Sequence, residues 1–330
     1  MWMQPAPRPD TGSSEGAHGP WWLPTETRCA VPPRLMADIE CLQESEHSPE
    51  SVDWTGLGLA NDTCMSALAR GLRSNTRVRR LELEGSGATT DDGYAQLERA
   101  LKTTAVEEVV LGDLEVTCER KASIRKVCLL NTVKRVKSGR PLNEVNWADS
   151  NADDEAVTGL AEALKTNTCV RRVILRGNAA VADIGFAALQ VALDDCAVEW
   201  VDLEYTMASE KRKVGIRRQC RMNTLKRVAQ NHVAVSHINW SVDERDATMG
   251  ANLDDVLKLV EALRGNTHVR KIWLLDNKVT SQVTEAAGEA LEALLHSSGG
   301  AAVEEVLLHG TLVSVERQMA ISKLCETSRR

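Results

Sequence analysis

The sequence predicts an α/β solenoid assembled from short repeats, and three observations carry that prediction. The segment Asn75-Thr-Arg-Val-Arg-Arg-Leu-Glu-Leu83 recurs as Asn167-Thr-Cys-Val-Arg-Arg-Val-Ile-Leu175 and as Asn266-Thr-His-Val-Arg-Lys-Ile-Trp-Leu274. Each copy is preceded by a related one ending in Val52-Asp-Trp54, Val145-Asn-Trp147 or Ile238-Asn-Trp240. Each is followed by an apolar triplet, Val106/Val109/Leu111, Val198/Val201/Leu203 or Val303/Val306/Leu308. Between copies the apolar spacing turns helical, as in Leu160, Ala161 and Leu164, then Phe186, Leu189, Val191 and Leu193. Three modules of roughly ninety residues therefore hold nine strand-plus-helix repeats, and neither element buries its apolar face without a stacked neighbour.

Eight of the nine prolines fall within the first forty-nine residues, together with a Gly/Ser run; Pro141 is the exception. Proline fixes φ and removes a backbone donor, so residues 1–48 read as a Pro-rich, largely disordered leader, with a short helix over residues 36–43. Trp21-Trp22 is its one large apolar unit. Residues 49–330 form the repeat domain. Within each repeat, apolar residues at positions 1, 4 and 6, as in Val170, Val173 and Leu175, give the alternation of a strand with one buried face. Two helical segments, residues 119–137 and 210–230, are longer than the rest. They contain Ile124-Arg-Lys-Val-Cys-Leu-Leu-Asn-Thr-Val-Lys-Arg-Val136 and Ile216-Arg-Arg-Gln-Cys-Arg-Met-Asn-Thr-Leu-Lys-Arg-Val228, and the third module ends on Ile321-Ser-Lys-Leu-Cys325. Cys128, Cys220 and Cys325 thus share one slot, which reads as core packing rather than redox chemistry.

Val170-Arg-Arg-Val-Ile-Leu-Arg-Gly-Asn178 and Val269-Arg-Lys-Ile-Trp-Leu-Leu-Asp-Asn277 resemble the leucine-rich repeat motif LxxLxLxxN. The 28-residue spacing from Val78 to Val106 and the phrase Leu160-Ala-Glu-Ala-Leu-Lys-Thr-Asn167 resemble its ribonuclease-inhibitor class. The resemblance implies a horseshoe with a parallel sheet on the concave face and helices on the convex face. The motif's turn Asn is replaced by Ser86, Leu114, Ser150, Thr206, Asp243 and Thr311 in other repeats, where looser turns are expected.

Composition excludes several classes. Apolar content of 43% and charged content of 26% are globular values. Nine Cys with no CxxC pair argue against a disulfide framework and a structural zinc site. No apolar run reaches membrane-spanning or signal-peptide length, so a cytoplasmic location is expected, cytoskeleton-associated or nuclear locations being the alternatives. No GxxxxGK[ST], HExxH, GxSxG or GxGxxG occurs. His232 and His237 have the spacing of neither a helical nor a strand-face metal pair. The pairs Asp91-Asp92, Asp153-Asp154, Asp194-Asp195 and Asp254-Asp255 suit helix ends better than acid/base catalysis. No catalytic residue, cofactor or metal is expected.

Function is therefore sought on surfaces. Strand positions 3 and 5 point outward while 4 and 6 point inward. The outward set includes Arg172, Ile174, Trp200, Asp202, Lys271, Trp273 and Leu307. Aromatic and aliphatic side chains edged by charge are what a protein partner covers. A second surface is basic: residues 119–140 and 210–228 each hold eight Lys/Arg against one acid, in a chain of net charge −7. Arg125, Lys126, Lys134, Arg135, Arg217, Arg218, Lys226 and Arg227 are expected to form a convex stripe suited to an acidic partner. Nucleic acid ranks below a protein partner, because aromatic interleaving and a recognised motif are both missing. The expectation is a non-catalytic interaction scaffold. The alternatives are a cytoskeletal or axonemal component, an RNA-binding subunit, or a GTPase-activating protein of the repeat type.

Overall fold

A computed structural model describes residues 31–44, 48–56, 61–73, 75–85, 89–112, 116–242, 250–277, 283–297 and 302–328. Helices and three-residue strands alternate along them as an α/β repeat solenoid. The first module holds α1 (Pro33–Gln43), β1 (Ser51–Asp53), α2 (Asp62–Leu72), β2 (Arg80–Glu82), α3 (Asp91–Leu101), β3 (Glu108–Val110) and α4 (Cys118–Lys137). The second holds β4 (Glu144–Asn146), α5 (Asp154–Leu164), β5 (Arg172–Ile174), α6 (Asp183–Leu193), β6 (Trp200–Asp202) and α7 (Glu210–Ala229). The third holds β7 (His237–Asn239), α8 (Leu253–Leu263), β8 (Lys271–Trp273), α9 (Glu285–His296), β9 (Glu305–Leu307) and α10 (Val315–Ser328). Among the described residues, no helix is long and apolar enough to cross a membrane.

The strand phase follows the period of two. The middle residue of every strand, for example Leu81, Val173, Val201 and Ile272, is buried, and its two neighbours face outward. Register is equally regular: Arg80 lies opposite Glu108, Arg172 opposite Trp200, and Lys271 opposite Glu305. The single sheet expected from the sequence is replaced by three parallel sheets, β1-β2-β3, β4-β5-β6 and β7-β8-β9.

The breaks fall where the helices lengthen. At 1.5 Å per residue, the 20-residue helices α4 and α7 run about 30 Å, against about 17 Å for the 11-residue helices. Each long helix straddles two cores. Ile124, Val127 and Cys128 pack in the first core, and Leu129 and Val136 in the second. Ile216 and Cys220 pack in the second core, and Leu225 and Val228 in the third. The extra turns set the following strand apart from the preceding sheet, while the helix holds the two modules together.

Asparagines fix this frame. Asn131 on α4 donates to Leu101 O and Val106 O, each at 2.9 Å, and Asn223 on α7 donates likewise to Leu193 O and Val198 O. Asn75, Asn167 and Asn266 each accept from the amides two and three residues on, and each donates to the carbonyl of an earlier helix, Leu42, Val136 or Val228. The turn Asn178 and Asn277 donate to Trp147 O and Leu175 O, and to Trp240 O and Leu274 O. At the substituted turns Ser150, Thr206 and Thr311 the hydroxyl still donates to the carbonyl three residues back. Those turns keep one of the motif's hydrogen bonds; Ser86, Leu114 and Asp243 lie outside the described residues. Gly177, at φ +76°, is required by space as well as backbone, since a Cβ there would meet Asp149 Oδ1 at 1.9 Å.

Of residues 1–48, α1 belongs to the first module. Pro33 sits in its first turn, where a missing N–H costs nothing. Leu35, Ile39 and Leu42 share the core with Trp54, whose Nε1 donates to Asp38 at 3.0 Å. Trp21 and Trp22 lie outside the described residues. Two of the four acidic pairs cap a helix start: Asp153 accepts from Ala156 N, and Asn252 with Asp255 forms a capping box at the start of α8. Asp91 and Asp92 lie in the first turn of α3 without a capping hydrogen bond, and Asp194 sits at the C-terminal end of α6.

Candidate protein-interaction surface

Outward positions of the strands make one candidate face. Its charged residues are knitted within the sheets: Arg80 reaches Glu82 (2.8 Å) and Glu108 (2.7 Å), Arg172 reaches Glu144 (3.1 Å), and Lys271 reaches Glu305 (3.8 Å). Such exposed pairs contribute little stability, typically about 0–1 kcal/mol, so their main effect is to fix where charge sits. Asp202 accepts from Glu204 N at 3.0 Å and shapes the turn after β6. Ile174 is half-buried, and Leu307 is 37% exposed.

The two tryptophans are held in different ways. Trp273 donates from Nε1 to Glu305 at 2.7 Å, and His237 meets its ring edge-on with centroids 4.2 Å apart. Burial, then Lys271, pulls the His237 imidazole below the usual histidine range, with Glu305 opposing. Trp200 lies at the β6 edge of the second break, and the Arg217 guanidinium stands 4.7 Å from its ring centroid. A strand residue and a helix residue that sequence reasoning assigned to opposite faces thus meet in one cleft.

Five of the eight basic residues expected to form the stripe have polar partners in neighbouring repeats. Lys134 and Lys226 donate to Lys102 O (3.2 Å) and Asp194 O (3.0 Å) at the ends of the preceding helices. Arg135 pairs with Glu107 at 3.0 Å, and Arg227 pairs with Glu199 and donates to His232 Nδ1 at 2.9 Å. Lys126 pairs with Glu155 at 2.9 Å. Arg125 lines the break between β3 and β4, Arg217 lines that between β6 and β7, and Arg218 is exposed on α7.

Both breaks are open clefts floored by a long helix. The first, of 320 Å³, is lined by Arg80, Glu107, Glu108, Arg125, Leu129 and Asp149, among others. The second has an inner part of 140 Å³ against Trp200, Arg217 and Arg221, and an outer part of 700 Å³ against Arg171, Arg172 and Arg227. Arg221 reaches through the floor to Asp255 at 2.9 Å, both side chains being almost fully buried. Burial lowers the Arg221 guanidinium from its usual value, and Asp255 opposes that. Arg171 is lowered by burial first and then by Arg227 beside it. Arg171, Arg221 and Asp255 were absent from the sequence-based set. For Arg221 and Asp255 the obstacle is a separation of 34 residues, whereas Arg171 could have been found as the residue just before outward-facing Arg172.

Cys128 and Cys220 line the two clefts at the same repeated position, and burial pushes both thiols up to about 12. They pack as small apolar groups. Among the described residues no group of three or more His, Cys, Asp or Glu is placed to hold a metal ion.

No protein-family model and no curated protein matches this chain. Among solved structures, the tropomodulin C-terminal domain of Caenorhabditis elegans is 9% identical, covering 58% of this chain and 94% of that one, with a TM-score of 0.28. Leiomodin-1 actin-binding site 2 is 15% identical over 60% of this chain and 87% of that one, with a TM-score of 0.25. Rad7, from the yeast complex with Elc1, is 11% identical over 87% of this chain and 70% of that one, with a TM-score of 0.37. At these TM-scores the likenesses carry no argument about function.

Proposed function

We propose that this chain is a non-catalytic protein-interaction scaffold of the ribonuclease-inhibitor-like leucine-rich repeat class, with its partner seated on the outward strand positions from β5 to β9. The observation that carries this reading is the apolar content of that face: Trp200, Trp273 and Leu307 at outward positions, with Ile174 beside them. Side chains of this size on a sheet surface favour being covered, and aromatic anchors edged by charge are where binding energy concentrates. Trp273 is further held by Glu305 and His237, so little side-chain freedom remains to be lost on binding.

Proximity labelling with the full chain, compared with its Trp200→Ala/Trp273→Ala variant, tests the reading. The double variant should keep a native circular dichroism spectrum and lose the proteins labelled by the wild type. An unchanged labelled set would contradict it.

A further inference from the structure

We propose that α6 is the seam of a homodimer: a second copy of this chain packs on the outer face of α6 about a two-fold axis running along that helix, with α5 of each copy over α7 of the other. The surface lies on the helix side of the repeats and goes beyond the strand-face reading above.

Burial defines the seam. The outer row of α6 is Ile184, Ala187, Ala188 and Val191, with Ile184 75% and Val191 61% exposed and the two alanines partly exposed between them. Ile184 and Val191 are the second and ninth residues of the helix, about 10 Å apart along its axis. The flanking helices carry charge at the same two places, Glu155 and Glu162 on α5 and Lys211 and Arg218 on α7. Of the three, α6 alone presents large apolar side chains there, and these favour being covered. Exposed Met207, whose amide donates to Val181 O at 3.1 Å, and exposed Val214 extend the patch toward α7.

Hydrogen bonds hold the three helix starts level. Asp154, the first residue of α5, accepts from Ala182 N at 2.8 Å and Gly185 N at 3.0 Å. Asp183, the first residue of α6, accepts from Ser209 N at 2.8 Å just before α7. The second and ninth residues of neighbouring helices therefore stand side by side. Across the surface they read acid, apolar, base at both levels: Glu155, Ile184, Lys211, then Glu162, Val191, Arg218.

That order selects the occupant. A half-turn about α6 reverses it, so the acids of one copy fall opposite the bases of the other at both levels while the apolar row meets itself. A two-fold axis across the helix would instead set acid against acid and base against base. A foreign partner needs the reversed order at the same spacing, which a second copy already carries. Existing ion pairs oppose this little. Glu155 meets Lys126 of α4 at 2.9 Å and Glu162 meets Lys165 at 2.6 Å, both well-exposed pairs of the kind that contribute little and exchange readily. Lys213 takes Glu210 at 3.0 Å, and among the described residues Lys211 and Arg218 form no ion pair. Asp195, one turn beyond Val191, meets its own copy near the axis and opposes the contact, but it lies outside the two levels where acid meets base on each side.

Sedimentation velocity on the full chain from about 1 to 100 µM tests the proposal. Dimer should appear as concentration rises. Ile184→Glu/Val191→Glu should weaken it by at least about thirtyfold with a native circular dichroism spectrum, since both side chains are exposed. Leu257→Glu, at an exposed leucine of α8, should change it by less than about twofold. Lys211→Glu/Arg218→Glu puts acid on both flanks and Glu155→Lys/Glu162→Lys puts base on both. Each should weaken self-association by at least about tenfold, and an equimolar mixture of the two should recover it as a heterodimer. A monomer at every concentration, a dimer indifferent to Ile184→Glu/Val191→Glu, or a mixture no tighter than its components would overturn the proposal.

Discussion

The two inter-module clefts are built on one template and differ in chemistry. Each follows a strand that begins with an outward residue, is floored by a 20-residue helix, and is anchored by an Asn on that helix, Asn131 or Asn223, to two carbonyls of the preceding repeat. Glu107 and Arg135 in the first are matched by Glu199 and Arg227 in the second, and Cys128 by Cys220. Among the positions that differ, Glu108 becomes Trp200, Leu129 becomes Arg221, and Glu144, at the start of β4, becomes His237, at the start of β7. In the first cleft Glu108 is neutralised by Arg80, and Glu107 by Arg79 and Arg135. In the second, Trp200 with the Arg217 guanidinium beside its ring, and Arg221 with its carboxylate Asp255, replace them. Hydrogen bonds from Asn131 and Asn223 to backbone hold the same frame at both breaks, while the side chains that line them differ in charge.

The largest effect is expected at the buried pair that the second cleft has and the first lacks. Asp255→Ala should destabilise the chain by about 3–5 kcal/mol, because it leaves the Arg221 charge buried without its carboxylate. Arg221→Leu combined with Asp255→Asn, which gives this floor the residue found at Leu129, should recover most of that loss in urea unfolding. A small effect of Asp255→Ala would mean that Arg221 reaches water, and that the two floors are more alike than the structure has them.

Core packing comes next. Leu175, fully buried on the repeat between the clefts, should cost about 2–5 kcal/mol when changed to Ala. Hydrogen exchange should rise on both sides of it, since neighbouring repeats stabilise one another. An unchanged urea midpoint would place Leu175 outside the core.

Smaller effects are expected at the paired cysteines and at His237. Cys128 and Cys220 should resist alkylation equally in the native chain, their thiols being pushed up to about 12, whereas exposed Cys118 should react. Unequal protection of the two would break the claim of a common frame. His237 stands where the first cleft has Glu144, and it should titrate below the usual histidine range by NMR. Its folded value is depressed, so the native state favours the neutral ring. The associated stability is full above about pH 6.5, the unfolded value, and is lost as pH falls through the folded one. Titration at or above the ordinary range would show that neither burial nor Lys271 acts on it.

Much of the fold was legible because it rests on local periods. Alternation at Val170, Val173 and Leu175 fixes which strand residues turn inward, and the three copies of the Asn-Thr segment fix the modules. The sheet breaks were not legible. The extra length of α4 and α7 was visible, but its consequence depends on each helix joining two cores, a tertiary fact. The start of α1 was missed by three residues, since Pro33 reads as a breaker although the first helical turn accepts it. The site was half legible. Trp200 and Arg217 were each singled out, one as a strand-face residue and one as a helix-face residue. That they touch follows from the cleft geometry, which no spacing encodes.

An NMR titration of the tryptophan indole signals with a protein recovered by proximity labelling tests most directly whether the outward strand face receives the partner. Trp200 and Trp273 border the second cleft or its extension, whereas Trp147 lies buried beside the first and Trp54 within the first core. The Trp200 and Trp273 signals should move, while those of Trp147 and Trp54 stay in place. Movement of Trp147 with Trp200 unchanged, or no movement of any indole, would contradict the account.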